Sequence, residues 1–239
     1  MSNAYGRFAE YYDLLGWNAF ARHAGARLRA FFKIREIRPD SILDLACGTG
    51  ELEKNLSNSG IRFVGVDASQ PMLKMARAKK LDSKFICGDA AEIRLNRKFD
   101  MVLLIFDSAN HMRSLSHLVR VFKNARRHLK DDGFFIFDFI PESGMGEWEQ
   151  VNIKRTDKYT LFFYGHYYQE TMTANIFIEA FIKRGKLYDR IFQKIVERTY
   201  LNSDIIHGLT KSGFSKILVS PYDHGDELEN ASRLWFVCS

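Results

Sequence analysis

The 239-residue sequence predicts a doubly wound α/β fold, a Rossmann-like, mostly parallel sheet of about seven strands with helices on both faces. Three observations carry that prediction. Short apolar runs at 41–46, 61–66, 84–87, 100–106 and 134–139 alternate with amphipathic stretches, the pattern of a parallel sheet buried on both faces. The first run passes through Asp44 into Cys47-Gly48-Thr49-Gly50, a strand leading into a Gly-x-Gly turn whose glycines let backbone and ligand approach closely. Beyond Pro141 the period changes, and 148–200 shows three or four β-type runs without a helix between them.

Taken in order, the elements begin with a helical cap over 1–38. Its helix spans 17–36, with Ala24, Leu28, Phe31 and Phe32 at helical spacing and Pro39 beyond its end. The first residues mix charge and polarity where a signal peptide needs an apolar stretch, and runs such as 101–106 are too short to span a bilayer. A cytoplasmic protein without membrane attachment is expected. The α/β core takes 39–141 and 202–239, with helices at 51–57, 70–79 and 115–129; in the last, Leu118, Phe122, Ala125 and Leu129 share one face. Residues 142–201 form an antiparallel insertion, with the clearest strand at 176–182 and a hairpin turn at Arg184-Gly185-Lys186. A helix over 203–212, stopped by Gly213, and strands at 214–220 and 233–238 close the sheet.

Composition narrows the chemistry. With 46% hydrophobic and 14% aromatic residues the chain can bury a sizeable core. Cys47, Cys87 and Cys238 have neither a disulfide framework nor zinc spacing, so a reduced, metal-free protein is expected. The net charge of +6 is spread along the chain with no basic stripe, which disfavours nucleic acid as a partner.

The turn then selects a cofactor. A dinucleotide fingerprint needs a third glycine where this chain has Glu53, and Glu51 and Glu53 in the first helical turn would repel a pyrophosphate. No Gly-Lys-Ser/Thr follows, which excludes a P-loop. A nucleoside without phosphates remains. Asp67, closing Val64-Gly65-Val66-Asp67, stands where an acidic residue accepts from both ribose hydroxyls, and Asp89 in Cys87-Gly88-Asp89-Ala90 can accept from an adenine amino group. An acidic lining favours a cation, and S-adenosylmethionine combines ribose, adenine, ammonium and sulfonium with no phosphate.

These motifs, with Asp132-Gly133 before the fifth strand, resemble the class I S-adenosylmethionine-dependent methyltransferases over 41–140 and the last two strands. The resemblance implies S-adenosyl-L-methionine as cofactor, S-adenosyl-L-homocysteine as product and no metal. It places cofactor contacts at Asp44, Ala46, Gly48, Thr49, Gly50, Asp67, Ala68, Met72, Asp89, Ala90 and Phe106. Phe8-Ala9-Glu10-Tyr11-Tyr12-Asp13, the Asn110-His111-Met112 loop and the insertion after the fifth strand further resemble small-molecule N-methyltransferases, notably amino-sugar N,N-dimethyltransferases. By that resemblance Tyr12 and His111 lie beside the acceptor amine.

Read from the residues alone, His111 sits on a loop at the carboxyl edge of the sheet and is the candidate base; a purely structural histidine is the alternative. The aromatic N-terminal segment either closes over the cofactor or docks its rings on the core. Tyr159, Phe162, Phe163, Tyr164, His166, Tyr167 and Tyr168 suit the roof of an acceptor pocket, a dimer interface or a sheet core. The expected function is in-line methyl transfer to a small-molecule acceptor, an amine nitrogen ahead of oxygen or carbon, by a monomer or homodimer. A tRNA or other nucleic-acid methyltransferase and a non-catalytic S-adenosylmethionine-binding protein are the alternatives; the first lacks an Asn/Asp-Pro-Pro-Tyr/Phe sequence after the fourth strand.

Overall fold

The computed structural model describes residues 5–223 and 225–239; residues 1–4 of the expected cap lie outside the described residues. Seven strands form the central sheet: β1 (Ser41–Leu45), β2 (Arg62–Asp67), β3 (Ser83–Cys87), β4 (Phe99–Leu104), β5 (Leu129–Phe139), β10 (Ile217–Pro221) and β11 (Leu234–Cys238). Between them in sequence, β6 (Asn152–Arg155), β7 (Tyr159–Tyr168), β8 (Thr173–Arg184) and β9 (Leu187–Arg198) make a separate antiparallel sheet. The central order is β3-β2-β1-β4-β5-β11-β10, with β11 antiparallel to both neighbours and β1, β2, β3, β4 and β5 parallel in their pairings. The chain order reverses between β1 and β4, so a crevice opens above their carboxyl ends, where sheets of this kind bind ligands.

Apolar side chains on both faces of β1 explain why it lies at the centre: Ile42, Leu43 and Leu45 have no exposed surface. One face is covered by α5 (Leu115–His128), which begins where Ser114 Oγ accepts from the His117 N–H at 3.1 Å. Leu118, Val121, Phe122 and Ala125 point inward and meet an aromatic layer in which Phe137 stacks on Phe236 with centroids 4.5 Å apart. On the other face Ala24 and Leu28 of α2 (Ala19–Ile34) and Leu52 of α3 (Glu51–Leu56) pack with Ile42, Met101 and Ile136. The four-stranded sheet turns Ala174, Ile176, Ile178, Ala180 and Ile182, every second residue of β8, onto Phe8, Tyr11 and Leu15 of the cap. The remaining helices are α1 (Tyr12–Leu15), α4 (Gln70–Ala78), α6 (Glu142–Met145) and α7 (Asn202–Lys211). No helix among the described residues is long and apolar enough to cross a membrane.

Two expectations need correction. The helix expected over 17–36 starts at Ala19, and α1 before it ends at Gly16, whose φ of 103° is open mainly to glycine. The Asp132-Gly133 turn expected before the fifth strand is an irregularity inside β5, which starts at Leu129: the register with β4 shifts between Phe99 and Met101. A Cβ at Gly133 would stand 2.8 Å from the Asp100 carbonyl oxygen, so glycine there serves a close backbone approach. The hairpin turn falls where expected, with Arg184 paired to Leu187.

The crevice depends on an equally close approach at Gly65 in β2. A Cβ there would lie 2.8 Å from Cys47 Sγ, Glu53 Oε1 and a Phe85 ring carbon. Gly65→Ala is expected to lower stability by about 1–3 kcal/mol through this overpacking, read from the urea unfolding midpoint at unchanged m-value.

Candidate functional site

The turn after β1 is shaped by left-handed backbone at Ala46 (φ 63°), Gly48 (φ 55°) and Gly50 (φ 69°). No atom lies within 4 Å of where a Cβ on Gly48 would stand, so the turn presents bare backbone to open space; at Gly50 a Cβ would meet the Phe85 ring at 2.9 Å. Asp67 caps this turn from β2. Its Oδ2 accepts from the Gly48 N–H and its Oδ1 from the Ser69 N–H, each at 2.8 Å. Burial raises the Asp67 pKa, and these two N–H groups oppose the rise. Asp89 accepts from the Ala91 N–H at 2.8 Å and faces His117 Nε2 at 3.2 Å; burial raises its pKa, but these bonds outweigh it and hold the carboxyl below its ordinary value. Asp44, Asp67 and Asp89 therefore follow one another along the carboxyl ends of β1, β2 and β3, with Ala68, Ala90 and the buried Met72 beside them.

The two acids of the first turn of α3 do not confront a ligand as the sequence suggested. Glu51 is bound by Lys79 at 2.7 Å, and Lys79 also bridges to Asp13 of the cap at 2.7 Å. Thr49 Oγ1 donates to Asp13 Oδ1 at 2.7 Å, so the cap is clasped onto the glycine turn itself. Glu53 lies beneath the turn beside Gly65, 1% exposed, with neither carboxyl oxygen hydrogen-bonded. Burial pushes its pKa up to about 7 and that of Asp44 well above its ordinary value, each further raised by neighbouring carboxylates.

Next to the crevice lies a cavity of about 100 Å³ where the cap, the loop after β4 and the four-stranded sheet meet. Its lining brings together Tyr12, Met72, Phe106 and His111 from the expected residues and adds Tyr5, Trp17, Asp107, Glu197 and Arg233. His111 lines it half-buried: partial burial lowers its pKa, Asp107 opposes and Arg233 reinforces the lowering, so the imidazole is neutral at neutral pH. Burial raises the Tyr12 and Tyr5 pKa values far enough that both phenols stay protonated.

The loop holding His111 is strained and tightly anchored. Phe106 (φ 65°) and Asp107 (φ 44°) are left-handed, and their N–H groups both donate to Asp138 of β5, at 2.6 and 2.9 Å. Arg233 pairs with Asp138 and, at 3.1 Å, with Asp107, while its guanidinium lies 4.5 Å from the centre of the Phe20 ring. Asn110 ties the same loop to the insertion: its Nδ2 donates to the Ile140 and Arg198 carbonyls at 2.9 Å, and its own carbonyl accepts from the Arg198 N–H at 2.8 Å. That bond sets Glu197 beside His111.

Sequence reasoning missed Asp107, Asp138, Glu197 and Arg233. Glu197 had a readable signal, an acid in phase with the inward Ile191 and Ile195 of β9. The tyrosine-rich roof is a further correction: along β7 only Phe163 reaches the cavity, beside Ile176, Ile178 and Ile195. Phe162, Tyr164 and His166 alternate to the other face, where Tyr164 stacks on Phe177 and Phe162 meets Phe181 edge to face. In the cap the rings do both jobs at once: Phe8, Tyr12 and Trp17 pack together, and Tyr12 and Trp17 also line the cavity. The ligating atoms of Asp107, His111 and Glu197 lie within 4.8 Å of one another, but the Arg233 guanidinium already supplies positive charge to Asp107.

Residues 42–133 match the family model described as a methyltransferase domain. The chain is an S-adenosylmethionine-dependent methyltransferase. It is similar to the demethylmenaquinone methyltransferase of Thermotoga maritima, 34% identical over 56% of this chain and 59% of that one. It is also similar to the dTDP-3-amino-3,6-dideoxy-alpha-D-glucopyranose N,N-dimethyltransferase of Streptomyces fradiae, 30% identical over 58% and 56%. The crystal structure of an S-adenosylmethionine-dependent methyltransferase from Clostridium acetobutylicum superposes with a TM-score of 0.83 at 25% identity, covering 98% of both chains.

Glu53 makes a pH prediction for this methyltransferase. Its folded pKa of about 7 lies above the ordinary 4.5, so between those values the unfolded chain is ionised and the folded one is not. Stability from this group is present below pH 4.5 and is lost as pH rises to about 7. Glu53→Gln is expected to flatten that part of the profile and to be more stable than the parent above pH 7 by up to about 3 kcal/mol, measured by urea unfolding at successive pH values.

Proposed function

We propose that this methyltransferase methylates an amine nitrogen of a small metabolite, with the donor in the crevice over β1 and β2 and the acceptor in the adjoining cavity. The residues present fit S-adenosylmethionine: bare backbone at Gly48, carboxylates at successive strand ends, and Lys79, the cation nearest the turn, engaged with Asp13 and Glu51. When bound, S-adenosylmethionine supplies an electrophilic methyl group on a sulfonium and leaves as neutral S-adenosylhomocysteine. In this reading Gly48, Thr49 and Gly50 carry the cofactor against backbone, with Asp44 and Ala46 beneath it. Asp67 accepts from the ribose hydroxyls, Ala68, Met72, Asp89 and Ala90 enclose the adenine, and Phe106 closes the methyl end.

The observation that carries the amine assignment is a neutral, half-buried His111 beside two carboxyls, its Nε2 3.7 Å from Asp107 and 4.0 Å from Glu197. An aliphatic amine that is protonated at neutral pH must lose that proton before its lone pair can attack, and His111 Nε2 is placed to receive it. The Tyr12 hydroxyl orients the nitrogen, and Tyr5, Trp17 and Phe163 exclude water and offer ring faces to a cation. The amino-sugar substrate named for the Streptomyces fradiae relative supports an amine; the quinone named for the Thermotoga maritima relative shows that acceptors differ among proteins similar to this one.

A labelled-methyl transfer assay over aliphatic amines, amino sugars, phenols and tRNA tests the assignment: product is expected with the amines and amino sugars, and label confined to phenols or tRNA would overturn it. Asp67→Ala is expected to weaken S-adenosylmethionine binding by about 1.5–3 kcal/mol through loss of a charge-assisted ribose contact, measured by calorimetry. His111→Ala is expected to lower kcat by about a hundredfold or more while leaving cofactor affinity within a factor of a few.

A further inference from the structure

The cavity holds more acid than its cations balance. Asp107, Asp138 and Glu197 face one guanidinium, Arg233, which bonds to the first two. His111 adds no charge, being neutral, and the phenols of Tyr5 and Tyr12 are protonated. Glu197 is 2% exposed, one of its carboxyl oxygens lies within 4.8 Å of one of Asp107, and its Oε2 is buried with no partner. Burial, and after it the neighbouring Asp107 carboxylate, raise the Glu197 pKa well above its ordinary value, so that Glu197 is held protonated. Glu197 lines the cavity together with His111 and with Ile195 of the same strand.

We infer that the Asp107–Glu197 carboxyl pair is the subsite for the acceptor's ammonium group, so that this methyltransferase takes an aliphatic amine in its cationic form. The inference rests on the amine reading above and deepens it. On binding, the ammonium N–H groups occupy the carboxyl oxygens, and the proton that Glu197 had held goes to solvent. His111 Nε2, 4.0 Å from Glu197 Oε1, then takes one proton from the same nitrogen and leaves its lone pair free for the methyl carbon. The arrangement sets specificity by charge: a phenolate, an enolate or a carboxylate would meet two carboxyls, and an arylamine, unprotonated at neutral pH, brings no charge to displace the Glu197 proton. Glu197 thus selects and positions, and the proton transfer belongs to His111.

The test uses the S-adenosylhomocysteine-loaded enzyme and two probes of one shape, cyclohexylammonium and cyclohexanol, titrated calorimetrically at pH 7 in phosphate and in a sulfonate buffer of different ionisation enthalpy. The unmutated enzyme is expected to bind the ammonium about tenfold or more tighter than the alcohol, with close to one proton released per ammonium bound. Glu197→Gln, checked for folding by its affinity for S-adenosylhomocysteine, is expected to bring the two probes within about a factor of two. Equal binding of the probes by the unmutated enzyme, weak binding of both included, overturns the subsite, as does a preference that survives Glu197→Gln. Binding without proton release overturns it even where the variant does not fold. Amine methylation by an enzyme that shows no ammonium preference would remove the subsite and leave the amine reading standing; an ammonium preference in an enzyme that methylates only phenols would do the reverse.

Discussion

The buried Asp138–Arg233–Asp107 ion cluster holds the rest of the site in place. It ties β5, the loop after β4 and the start of β11 together, and Asp138 also takes the N–H groups of two left-handed residues, Phe106 and Asp107. Such backbone is unfavourable by about 1–3 kcal/mol per residue, so it persists only where its surroundings over-determine it. Asp138 is completely buried, a position in which a carboxylate is tolerated only when paired and fully hydrogen-bonded. With Phe106 and Asp107 locked, Asn110 and His111 follow at fixed positions, and Asn110 in turn draws β9 against the loop. The wall of the cavity formed by Asp107, His111 and Glu197 is built outward from one guanidinium.

A second polar assembly holds the glycine turn. Asp13, Thr49, Glu51 and Lys79 join the cap, the glycine turn and the end of α4 in one partly buried network. It places the aromatic cap over the crevice, where Tyr12 and Trp17 reach the cavity. The cap's packing is aromatic and aliphatic: Phe8, Tyr11 and Leu15 are buried against β8, so the clasp and this shared core hold the cap in place together.

The parallel half of the sheet was legible because burial on both faces leaves continuous apolar runs, as in Ser41–Leu45 and Phe99–Leu104, and because Gly48, Gly50 and the strand-end acids are local in sequence. The cap's interruption at Gly16 and the early start of β5 were not legible, since both turn on backbone conformation that apolar periodicity does not encode. The aromatic run of β7 misled for a related reason: composition counts rings, while strand alternation sends every other one to the outer face.

The sequence by itself determined the crevice of the glycine turn. A strand, a glycine turn and two acids at successive strand ends lie within fifty residues, and each is positioned by the backbone next to it. The adjoining cavity was decided only by tertiary structure. Asp107, Asp138, Glu197 and Arg233 come from four separate segments, and no short-range pattern links them. What unites them is long-range: a charge buried on one strand must find its counter-charge wherever the fold brings one, and that requirement shapes the cavity that His111 lines.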